Sequence, residues 1–151
     1  MPKTNVFGMP SGYQTLDYQA NFKGPLVILK GLTPDDFHLV ATHEDENALL
    51  NLTGSAQKLQ VDLTTFPNRI NGEASFFSKD GKDCLFCNFS GVGTQQLGDQ
   101  EFQDAFVHVV FTGGTGRFTN ATGYGVVEAD LYPHKGFSQG TIKATVYVPA
   151  G

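Results

Sequence analysis

Apolar and polar residues alternate with a period of two along much of this chain. Leu16, Tyr18, Ala20 and Phe22 alternate with Asp17, Gln19 and Asn21, as in a strand with one buried face. Leu26 to Leu29 is a short apolar run flanked by Gly24-Pro25 and Gly31. Leu59, Val61 and Leu63 alternate with Lys58, Gln60 and Asp62. Asn71-Gly72 reads as a turn before a strand over Glu73 to Phe77. Asp80-Gly81 reads as a hairpin turn, because this pair readily supplies positive φ, and Cys84 to Phe89 follows as the next strand. Ala105 to Phe111, Gly125 to Tyr132 and Thr141 to Val148 complete the set, the last two joined through Pro133-His134-Lys135-Gly136.

The segment after Gly31 admits two readings. Thr33-Pro34-Asp35-Asp36 can start a helix, with a cap, a proline and acids in the first turn. It can equally form a type I turn. Phe37, Leu39 and Ala41 then alternate, which favours a hairpin, and His43 to Asn47 reads as a solvated loop. Counting runs gives about eight strands with glycine-rich turns. The expected fold is therefore all-β: a single-domain antiparallel β-barrel of about eight strands over residues 1–151. Closing the sheet removes its edges and leaves room inside for side chains or one small ligand.

Composition narrows the function classes. The chain has 151 residues with 18 Gly, 13 Phe and no Trp. The net charge of -5 argues against a phosphate-backbone binder, so no nucleic-acid partner is expected. No apolar run approaches the length of a membrane helix, so no membrane insertion is expected. Met1 to Asn5 carry one basic residue and no apolar stretch follows, unlike a secretory signal, so the expected location is cytoplasmic. Three Asn-X-Ser/Thr triplets, at Asn51, Asn88 and Asn120, are then read as chance.

Cys84 and Cys87 are spaced C-x-x-C, but no second ligand pair accompanies them, and Leu85-Phe86 between them lies in an apolar strand. Their positions face opposite sides of a strand, and they read as two buried, reduced thiols. No His, Asp or Glu set has metal-ligand spacing. No metal and no cofactor are expected.

The most distinctive stretch is Gly113-Gly114-Thr115-Gly116-Arg117-Phe118, followed by Ala121-Thr122-Gly123-Tyr124. Its glycines suit a tight crossover between strands, with Phe118 plugging one end. Gly123 and Gly125 suit close backbone approach. A phosphate loop would need a Lys and a following helix, and here a strand follows. The stretch resembles the G-G-[ST]-G-x-F…A-x-G motif of the allene oxide cyclase and dirigent barrels. Upstream of Gln103 the resemblance is architectural.

That resemblance implies an apolar lumen shaping a reactive small hydrophobic molecule. The implied activity is a cofactor-free cyclase or isomerase, in the setting of natural-product biosynthesis. The alternative is a non-catalytic hydrophobic-ligand carrier or dirigent-like guide. A third reading is an interaction domain whose barrel is filled with side chains. In the first case conformation, desolvation and a few polar contacts do the work. The candidate catalytic residues are His108 and Tyr147, to polarise a carbonyl or hold an oxyanion. The candidate substrate-binding wall is Tyr18, Phe22, Phe76, Phe86, Phe106 and Glu128. Each has a plainer reading: a satisfied core histidine, a packed tyrosine, a solvent-facing acid. Which row points inward depends on register, since a shift of one residue reverses it. Phe106 and Val110 alternate with Val107, Val109 and Phe111, so this strand is apolar on both faces. A second apolar face suggests a homo-oligomer, a dimer or trimer.

Overall fold

The computed structural model describes residues 12–30, 36–44, 52–62, 64–95, 102–132 and 135–150, without the side chains of 26–30, 36–44, 53, 55–58, 95, 102 and 103. The described residues form eight strands: β1 (Tyr13–Lys30), β2 (Asp36–Glu44), β3 (Thr53–Asp62), β4 (Asn68–Phe77), β5 (Cys84–Gln95), β6 (Phe102–Thr115), β7 (Thr122–Tyr132) and β8 (Phe137–Pro149). All ladders are antiparallel and belong to one sheet. The all-β class expected from the alternation is the one observed. Among the described residues no helix is long and apolar enough to cross a membrane.

Neighbours follow chain order from β1 to β8, and β8 pairs back onto β1. The return is a handover within one long strand. Tyr13 to Pro25 pair with β8, and Leu26 to Lys30 pair with β2. Pro25, which has no N–H to donate, stands where the partner changes. Gly24-Pro25 was expected to bound a separate apolar run; instead β1 continues through it for 18 residues.

Two other local expectations meet different fates. Asp36 to Glu44 is a strand, which settles the helix-or-hairpin question for those residues; residues 31–35 and 45–51 lie outside the described set. Asn71-Gly72 is not a turn: both residues lie inside β4 and pair with β5. The chain reverses earlier. Asp62 accepts hydrogen bonds from the Thr64 N–H (2.9 Å) and hydroxyl (2.5 Å). The Asn68 amide donates to the carbonyls of Thr65 (2.8 Å) and Asp62 (3.3 Å). This local network outcompetes the Asn-Gly signal because it satisfies the turn's backbone groups directly. The expected turn at Asp80-Gly81 is present: Gly81 has φ 74°, and Asp80 accepts from the Ser78 hydroxyl and the Lys82 N–H.

The interior is built from alternate residues. Tyr18, Phe76 and Phe111 meet edge to face, with ring centroids 5.6 and 6.4 Å apart, and are joined by Leu85, Ile142 and Val146. A second cluster, including Leu59, Val61, Ile70, Val107 and Leu131, lies further along. The glycine motif closes the first end. Gly116 has φ 59°, and a Cβ there would collide with the Asp83 carboxylate. That carboxylate accepts the Arg117 N–H at 3.0 Å and lies 3.8 Å from its Nε. Phe118 is fully buried beneath the crossover, with the Arg117 guanidinium over its ring. The expected plug is therefore present. Gly125 faces inward, where a Cβ would come within 2.5 Å of the Ala144 Cβ, so glycine allows β7 and β8 to approach there.

Candidate functional site

Side-chain direction alternates along each strand, so placing one residue places its whole row. On β1, Tyr18 and Ala20 are buried, which turns Asp17, Gln19, Asn21 and Lys23 outward. Ala144 pairs with both Tyr18 and Gly125, and Gly125 pairs with Val109. Inward direction thus passes from Tyr18 to Val109 across four strands. His108, next to Val109, must then face out, and it is exposed.

This divides the candidate residues into two sets. Tyr18 and Phe76 face inward and are buried; Phe22 lies on the inward row and is half-buried. Phe86, Phe106, His108 and Glu128 are exposed on the outer face, and Tyr147 is a half-buried outer residue. The expected lumen wall is corrected here: Phe86, Phe106, His108, Glu128 and Tyr147 do not line the interior. The physical reason is the register just traced. His108 shares a face with Phe106 and Val110, and that face points outward.

On the outside, several candidates come together. One hollow, of about 740 Å³, is lined by residues that include Phe106, Glu128, Asp130 and Lys23. Another, of about 680 Å³, is lined by residues that include His108, Val110, Tyr124 and Lys143. The outward residues of the two hollows are consecutive on each strand: Asn21 follows Gln19, Lys143 follows Thr141, Glu128 follows Val126, and His108 follows Phe106. The two hollows are neighbours on the outer face of β6, β7, β8 and β1, and together they are called the trough. Phe106 and His108 bridge the boundary edge to face, with ring centroids 5.3 Å apart. At one end the Tyr124 and Tyr147 rings lie 6.4 Å apart. The Tyr147 hydroxyl is held above its ordinary pKa chiefly by its hydrogen bond with Tyr124, then by burial and by the charges of Tyr124 and Asp17. It remains a protonated hydroxyl at neutral pH. At the other end the Asp104 N–H donates to the Asp130 carboxylate at 3.1 Å.

The β6–β7 side of the trough carries Phe106, Val110 and Tyr124, which are 38%, 54% and 60% exposed, together with His108, Asp104, Glu128 and Asp130. Its β8–β1 side carries the hydrogen-bonding side chains of Gln19, Asn21, Thr141 and Thr145 and the charged Asp17, Lys23 and Lys143. Sequence reasoning missed this surface. A signal for it existed: Glu128 and Asp130 mark the outer row of β7, and pairing with β6 would have carried that direction to Phe106 and His108.

The interior offers little acid–base chemistry among the described residues. Cys87 faces inward, and burial pushes its thiol up to about 12, so it stays protonated. Cys84 is half-buried, and both thiols are free. Among the described residues no three His, Cys, Asp or Glu side chains converge as metal ligands. The side chains of His38 and His43 and the whole of Asn51 lie outside the described set. In comparison with known proteins, no family, curated protein or solved structure matches this chain.

Proposed function

We propose that the chain is a non-catalytic binding barrel whose working surface is the outer trough of β6, β7, β8 and β1. The ring of ladders, of the kind the Gly113–Tyr124 stretch resembles, is its scaffold. One observation carries the reading: β6 and β7 present exposed aromatic and aliphatic side chains beside polar and charged ones, over two neighbouring hollows. Ligand sites combine apolar walls with a few placed polar groups, and this trough does so. The cyclase or isomerase suggested by the resemblance competes with it. That reaction needs a ligand inside and a polar group at its reacting centre, for which the buried Tyr18 and Ser138 hydroxyls are candidates.

Amide chemical-shift mapping with neutral ring fragments, indole and cyclohexanol, tests the proposal. Shifts gathered on outward residues of β6, β7, β8 and β1 support it. Shifts gathered on the inward rows around Tyr18 and Phe76 overturn it in favour of the lumen.

Self-association is the second reading, favoured by the exposure of Phe86, Phe106 and Val110. A stable pair buries roughly 1,200–2,000 Å² around a core depleted of charge. Light scattering at tens of micromolar separates the two: a dimer or trimer that dissociates with Val110→Asp assigns the apolar row to a second copy.

A further inference from the structure

We infer that the hollow beside Tyr124 takes a free aromatic amino acid as its zwitterion, with the carboxylate on Lys143, the ammonium on Asp17 and the ring on Tyr124 and Val110. The inference rests on the reading of the trough as the working surface, and it concerns this one hollow. Its charges choose the ligand. The neighbouring hollow carries Asp104, Glu128 and Asp130 against Lys23. This one carries a single carboxylate, Asp17, a single ammonium, Lys143, and the imidazole of His108.

Strand register sets where these groups stand. Lys143 pairs with Gln19, and Thr145 pairs with Asp17, so acid and base are diagonal neighbours on β1 and β8, about 7–8 Å apart. Both are exposed. Among the described residues Lys143 makes no ion pair, either with Asp17 or with Glu128, its diagonal neighbour on β7. Tyr124 pairs with Thr145 on the side away from Asp17, one strand spacing of about 5 Å off, and Val110 pairs with Tyr124 beyond it. A head group above Thr145 therefore has Asp17 on one side, Lys143 along the strand and the Tyr124 ring on the other side. An α-amino acid holds an ammonium and a carboxylate on one carbon, with its ring a short spacer away, and so matches this triangle. A simple anion would meet Asp17, and a simple amine would meet Lys143. An uncharged aromatic would crowd both charges without compensating either.

The experiment is an amide chemical-shift titration of the full chain at neutral pH with L-tryptophan, with indole-3-propionate, which lacks the ammonium, and with tryptamine, which lacks the carboxylate. It is run on wild type, Lys143→Gln and Asp17→Asn. Both residues are exposed, so the variants keep the fold. Tryptophan is expected to bind severalfold tighter than either analogue, the gain that exposed charge pairs give. Lys143→Gln should abolish the advantage over tryptamine alone, and Asp17→Asn the advantage over indole-3-propionate alone. The inference is overturned if millimolar tryptophan gives no shifts, if tryptophan binds no tighter than both analogues, or if each variant changes all three ligands alike. The fragment mapping separates the levels. Indole on the outward residues with no preference for tryptophan sinks this inference alone, whereas indole on the inward rows sinks the trough itself.

Discussion

On β6, Ala105, Val107, Val109 and Phe111 face inward, and Phe106, His108 and Val110 face outward. The inner row is wholly apolar and the outer row also carries large apolar side chains, yet their surroundings differ. Phe111 is 2% exposed and packs on Phe76; Val110, its neighbour, is 54% exposed. The inner row is accounted for by folding, since it closes the core against β1, β4 and β5. The outer row removes little surface from water and is not needed for that core. Apolar residues that the fold does not need are the ones that call for a ligand or a partner.

The comparison breaks most sharply under truncation. Phe111→Ala should lower unfolding stability by about 3–5 kcal/mol, because it removes a buried ring and leaves a cavity. Val110→Ala should change it by no more than about 0.5 kcal/mol. Urea denaturation of both variants measures the contrast; equal losses would show that the two rows are energetically alike.

Next in size is the crossover that caps the inner row. Gly116→Ala should cost about 1–3 kcal/mol, because φ 59° strains any side chain and the new methyl meets Asp83 and the Lys82 carbonyl. The same denaturation series reads it. Arg117→Ala, beside it, removes only a partly exposed ion pair and should cost under about 1 kcal/mol.

The Cys87 thiol gives a test with a defined sign. Its pKa is about 12 in the fold against an ordinary 9.0. The folded state keeps the proton, whereas the unfolded chain releases it above pH 9, so ionisation favours unfolding. The stabilisation is fully present below about pH 9 and is lost as pH rises toward 12. The slope from this group approaches 1.4 kcal/mol per pH unit at most. Cys87→Ala, though less stable at neutral pH, should lose less stability than wild type between pH 9 and 11, as followed by urea midpoints.

How much of this was legible in the sequence varies with the signal. Period-two alternation marked most of the strands, and the glycines of 113–116 marked the crossover, because positive φ and close approach leave few alternatives. Phe118 was legible as a plug for the same reason. Asn71-Gly72 misled because a two-residue signal lost to the Asp62–Asn68 network, whose hydrogen bonds are visible only once the turn is built. The candidate site was half legible. Tyr18, Phe22 and Phe76 were placed inside, and Phe86, Phe106, His108, Glu128 and Tyr147 were placed on the wrong side. On β6 Phe106 and Val110 made the outer row look apolar, but that row also carries Asp104, His108 and Thr112 while Ala105, Val107, Val109 and Phe111 are all apolar, so the fuller rows and the pairing with the acid-bearing β7 both pointed to the observed direction.

The central claim is that the outer row works and the inner row holds. The double variant Tyr124→Ala/Phe106→Ala tests it most directly, with stability and fragment-induced amide shifts measured on one sample. The account predicts an unfolding midpoint close to wild type, within about 1 kcal/mol, together with loss of the indole and cyclohexanol shifts along β6, β7, β8 and β1. A collapse in stability, or fragment shifts that persist unchanged, would contradict it.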